Sequence, residues 1–155
     1  MSAKDEFFKK VIDNNNAEKA EAAAKQKELE DFIHDSSQLL SRIQFWFDEA
    51  ESNITVEKSR VNINNENKLI SVQCLSLTNR GKKLTICPGP KGVIKVSMGS
   101  TDVYANDEYT LCSLLWNIPN TTDSTWTISY QNNNREHLDL PFNEENFFKF
   151  IADFA

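Results

Sequence analysis

The chain has 155 residues, of which 39% are hydrophobic and 26% charged, with a formal net charge of −6. That is the size and balance of one globular domain, with or without an extension. An acidic surface repels nucleic acid at long range, and no run approaches the ~20 apolar residues of a bilayer span, so neither nucleic acid nor membrane is expected as the main partner.

The first eighty residues contain neither glycine nor proline, and all four glycines fall between Gly81 and Gly99. Since these residues punctuate regular structure, long elements are expected early and tight turns in the middle. At the N-terminus, Phe7, Phe8, Val11 and Ile12 form a short apolar patch flanked by Lys4, Asp5, Glu6, Lys9 and Lys10. The patch lacks the apolar core and cleavage pattern of a secretory leader, so the cytoplasm is the expected compartment. Asn14-Asn15-Asn16 then separates the patch from a stretch rich in Ala, Glu, Lys, Gln and Leu, the strong helix formers.

Within that stretch, Leu29, Phe32, Ile33, Ser36, Leu39, Leu40, Ile43, Trp46, Phe47 and Ala50 fall in one sector of about 140° at 100° per residue. This predicts an amphipathic helix over 17–50, with a capping pair at Asp35 and Gln38 as a candidate break. An unbroken helix of that length is about 51 Å long, more than the ~40 Å diameter of a compact chain this size. Residues 1–28 are therefore expected as a projecting helical extension and 29–155 as a single domain. Phe45 lies nearly opposite the stripe centre and is a candidate contact anchor, because buried aromatics dominate interface energetics.

From Ile54 the apolar period changes to two. Strands are expected at Ile54–Ile63, Leu69–Thr78, Lys83–Cys87, Val93–Met98, Ser124–Tyr130 and His137–Leu140, with Tyr109–Trp116 a strand or a short helix. Asn79-Arg80-Gly81-Lys82 is a hairpin signal, and Asn132-Asn133-Asn134 a second turn. Asn143 reads as an N-cap, followed by Glu144 and Glu145 in a first turn and by Phe147, Phe148, Phe150, Ile151 and Phe154. The expected fold class is α+β: a long N-terminal amphipathic helix and a short C-terminal helix packed on an antiparallel meander of five to seven strands.

Little of this carries chemistry. Cys74, Cys87 and Cys112 are odd in number and form no close pair in sequence; three buried thiols are expected rather than a disulfide or zinc site. His34 lies on the polar face of the helix. His137 and Asp139 share one side of a strand, and a carboxylate there can orient an imidazole; that pair is the only enzymatic candidate. Phosphate-binding glycine loops, nucleophile elbows and zinc-helix motifs are missing from the sequence, and no cofactor or metal is expected. Residues 79–99 carry Arg80, Lys82, Lys83, Lys91 and Lys95 and no acid, a basic hairpin without the interleaved aromatics of a nucleic-acid platform.

The resulting expectation is a non-catalytic protein-binding module: an inhibitor, an immunity-type neutraliser or an adaptor. Its partner is a basic protein, met through the acidic surface and through Phe7, Phe8, Val11, Ile12 and Phe45. The alternative is a homodimer formed by the N-terminal helix, with a His137/Asp139 enzyme and nucleic-acid binding by the 80–95 hairpin ranked behind.

Overall fold

A computed structural model describes residues 2–49, 53–65, 68–89, 92–102, 108–116 and 126–155. The elements run α1 (Ala3–Glu49), β1 (Thr55–Asn65), β2 (Lys68–Asn79), β3 (Lys82–Pro88), β4 (Val93–Ser100), β5 (Tyr109–Trp116), β6 (Trp126–Gln131), β7 (His137–Pro141) and α2 (Glu144–Phe150), closed by a 3-10 turn (Ala152–Phe154). The chain divides into two compact units, residues 1–34 and 35–155.

The first unit is helix alone. Ser2 starts it: the Ser2 hydroxyl accepts from the Asp5 amide at 3.2 Å and its carbonyl from Glu6 at 3.1 Å. The helix runs through Asn14-Asn15-Asn16 and through Asp35 without a break, which corrects the expected start at residue 17. Asn costs at most ~0.7 kcal/mol per residue in a helix, whereas a new helix repeats an unfavourable nucleation step. With no glycine or proline nearby, continuing is the cheaper course.

In the second unit, seven strands form one antiparallel sheet in the order β1-β2-β3-β4-β5-β6-β7, a meander at the upper end of the expected strand count. Residues 109–116 are strand, not helix. Alternation divides the faces. Leu75, Leu77, Leu84, Ile86, Ile94, Val96, Met98, Cys112, Leu114, Trp126 and Ile128 line the inner face and are buried. The outer face carries Ser76, Thr85, Ser97, Ser113, Thr127 and Ser129, as an antiparallel sheet covered on one side should.

Residues 35–49 of α1 place Leu39, Leu40, Ile43 and Phe47 in the core. Two polar contacts fix their register on the sheet. Trp116 Nε1 donates to Asp35 Oδ2 at 2.8 Å, and Ser37 Oγ donates to Gln73 Oε1 at 3.4 Å. Asn143 caps α2 as expected, its Oδ1 accepting from the Asn146 amide at 2.7 Å. Phe147, Ile151 and Phe154 are buried behind that cap. Trp46 gathers Phe142, Phe147 and Phe148 at centroid distances of 5.8–5.9 Å, joining α2 to the end of α1. The chain terminus is tied to the β2–β3 turn: Asn79 Nδ2 donates to the Phe154 carbonyl and Lys82 Nζ to that of Asp153, both at 2.8 Å.

That turn has two residues, Arg80 and Gly81, between the paired Asn79 and Lys82. Both have positive φ, 50° and 83°, the mirror-image turn whose twist suits a hairpin. Gly81 adopts this freely; Arg80 does so at some strain.

Candidate functional site

The expected contact residues fall into two sets. Phe7, Phe8, Val11 and Ile12 belong to the 1–34 unit and are all exposed, Phe7 at 62% and Ile12 at 58%. Their spacing of one, four and five residues puts them in an arc of about 140° on the helix. The Phe7 and Phe8 rings meet edge-on, 5.3 Å apart. Large apolar side chains rarely stand together in water on a helix face, so this stripe is the feature of residues 1–34 that requires an explanation. Phe45 belongs to the 35–155 unit and is 61% exposed, on the side of α1 away from Ile43 and Phe47. It is flanked by the exposed Ser41, Arg42, Asp48 and Glu49.

The described basic residues do not share one face. Strand alternation sends Lys82 and Lys83 to opposite faces of β3. The Lys82 ammonium is committed to the Asp153 carbonyl, and Arg80 occupies the turn. Lys95 is paired with Cys87 and so shares a face with Lys83; Lys91 lies outside the described residues.

His137 has two polar neighbours, and both use one nitrogen. Ser129 Oγ is 2.6 Å from Nε2, and Asp139 Oδ1 is 3.6 Å from the same atom. A nucleophile–base–carboxylate relay needs the carboxylate on the opposite ring nitrogen, where it sets the tautomer and supports the developing imidazolium. Here Asp139 competes with Ser129 instead. The side chains of His137 and Asp139 are both more than half exposed. The trio is a polar contact between β6 and β7 in which Ser129 is buried while His137 and Asp139 are open to solvent. No cluster of three metal-ligating side chains occurs among the described residues.

Two cysteines overturn the expectation of three thiols. Cys74 and Cys87 are joined by a disulfide, with Cα atoms 4.5 Å apart, and only Cys112 is free. The reason is register. With Asn79 opposite Lys82, the ladder continues to Leu75 opposite Ile86, and the next rung sets Cys74 against Cys87 within bridging distance. The bond closes the hairpin where the β1–β2 ribbon runs on beyond β3. Burial changes phase there too: Val72 and Cys74 are buried on one side of that rung, Leu75 and Leu77 on the other. Cys112 lies on the inner face, and burial pushes its thiol up to about 12. A thiol so seldom ionised is neither a nucleophile nor a ready exchange partner for the disulfide.

No described helix is long and apolar enough to cross a membrane. Comparison with family models, with curated proteins and with solved structures found no match.

Proposed function

We propose that this chain is a non-catalytic protein-binding module whose docking element is the outer face of α1 at Phe7, Phe8, Val11 and Ile12. The observation that carries the reading is their common exposure on one helical stripe. A water-exposed stripe of this kind gains free energy only by being covered, about 25 cal/mol for each Å² removed from water. An aromatic pair with two branched aliphatics is the composition of a helix that lies in a groove or against another helix. Phe45 is a second anchor, on the sheet-bearing unit.

The net charge of −6 adds long-range attraction for a basic protein, felt mainly in the association rate and weakened by salt. An inhibitor, an immunity-type neutraliser or an adaptor would use a surface of this kind.

The test is capture from native extract by the full chain, compared with the Phe8→Glu/Ile12→Glu variant. A protein retained by the wild type at low salt and lost with the variant supports the reading. Equal retention by both refutes it, as does no retention by either when the wild type also fails to self-associate.

The compartment we propose is the cytoplasm, where the apposed Cys74 and Cys87 would be held as thiols and would close their bond only on oxidation. Counting free thiols in native extract tests it: three place the chain in a reducing compartment, whereas one places it in an oxidising one, where the Cys74–Cys87 bond persists.

A further inference from the structure

We infer that the partner of the α1 docking face is a second copy of this chain, packed antiparallel along residues 8–33. The inference rests on the reading of that face as a docking element and names its occupant. Two seven-residue series run along the helix. One is Phe8, Asn15, Ala22 and Leu29; the other is Ile12, Lys19, Gln26 and Ile33. Together they make a seam with the spacing of a two-stranded coiled coil, about 38 Å long. All these residues are exposed except Leu29 and Ile33, which are half-buried.

Charge chooses the direction. In a parallel pair, Lys19 would face the partner's Lys19 in the middle of the seam. In the antiparallel pair, residue i lies level with residue 41 − i, so Lys19 faces the partner's Ala22. Ile12 then meets the partner's Leu29, Phe8 the partner's Ile33, and Asn15 the partner's Gln26. The flanking positions agree. Lys9 comes beside the partner's Glu30, and Glu18 beside the partner's Lys25, each within about two residues' rise. By symmetry each pair occurs twice, giving four opposite-charge contacts. Within one chain Lys9 and Glu30 are 21 residues apart on a straight helix, about 32 Å, so their charges are unrelated unless a second chain is present. Lys25 bonds the exposed Glu21 at 3.7 Å, and Gln26 the exposed Glu30 at 3.1 Å. Such exposed contacts rearrange at little cost.

The apolar layers lie at the two ends and the polar ones in the centre. This arrangement favours one register over slipped ones and makes a reversible dimer rather than an obligate one. A dimer carries two acidic 35–155 units, so a basic partner would have two sites to meet.

The experiment is sedimentation equilibrium of the full chain over a range of concentrations at low salt. Wild type should move from monomer to dimer mass, and Phe8→Glu/Ile12→Glu should remain monomeric. Lys9→Glu alone and Glu30→Lys alone should each weaken the dimer roughly tenfold, turning two attractive contacts into repulsive ones. The double swap Lys9→Glu/Glu30→Lys should return it to within about threefold of wild type. Two results would overturn the inference: a monomer at every concentration, or a double swap at least as weak as either single change. If the chain stays monomeric yet captures another protein through Phe8 and Ile12, the docking face stands and the second copy falls. Monomeric behaviour with no capture removes both.

Discussion

One helix serves two regions in opposite ways. In residues 35–49 its apolar side chains are core: Leu40 and Ile43 are fully buried, and Asp35 and Ser37 bond to the sheet. In residues 1–34 the backbone is equally helical, yet Phe7, Phe8, Val11 and Ile12 face water. The difference teaches that helical continuity and burial are separate properties. Backbone hydrogen bonds and good helix formers carry the helix across Ala17–Gln26; only tertiary packing decides which apolar stripe is satisfied within the chain.

Substitutions should separate the regions cleanly. The largest effect belongs to the core. Phe147→Ala, in the cluster around Trp46, should lower the unfolding free energy by about 3–5 kcal/mol in urea denaturation. Phe8→Ala, the same chemical change on the exposed stripe, should shift it by less than about 0.5 kcal/mol at protein concentrations where the chain is monomeric. If Phe8→Ala approaches the cost of Phe147→Ala, the contrast between the regions fails.

Next comes the Cys74–Cys87 bond. Closing a loop of this size constrains the unfolded chain by about 3 kcal/mol. Reduction should therefore lower the denaturation midpoint of the wild type markedly and leave a Cys74→Ser/Cys87→Ser variant unchanged. Asn143→Ala should cost about 1 kcal/mol through loss of the α2 cap. Replacing Arg80 should help: Arg80→Asn relieves a positive φ in a turn that favours asparagine, and about 0.5–1 kcal/mol of stabilisation is expected. The cysteine and Asn143 changes leave the net charge as it is, so neither should alter the salt dependence of docking.

Cys112 adds a pH effect of known sign. Its folded value, raised from 9.0 to about 12, holds the thiol neutral in the native state while the unfolded thiol ionises. The contribution is intact below pH 9 and is lost as pH rises towards 12. Cys112→Ala should flatten that alkaline decline in thermal denaturation.

Much of the sheet was legible because alternation is local. Leu69–Thr78 and, within the described residues, Trp126–Tyr130 read as strands from residues two apart, and Asn143 read as a cap from its own chemistry and that of Glu144 and Glu145. The disulfide was legible too, but only by extending the hairpin register five rungs from Asn79 and Lys82. Counting cysteines does not do this, because pairing across strands depends on register and not on spacing along the chain. The helix start was misplaced because Asn14-Asn15-Asn16 resembles a breaker, although three mildly unfavourable residues do not stop a helix lacking glycine and proline. The split of Lys82 from Lys83, and the crowding of Ser129 and Asp139 onto one nitrogen of His137, depend on cross-strand geometry that no local pattern contains.

Hydrogen–deuterium exchange along α1 as a function of protein concentration tests the contrast most directly. Amides of residues 36–47 should be protected to the same degree at every concentration. Those of residues 8–28, exposed in the single chain, should exchange quickly in dilute solution and become protected as concentration rises. Uniform protection along the whole helix, unchanged by concentration, would contradict the claim that its outer stripe is completed by another molecule.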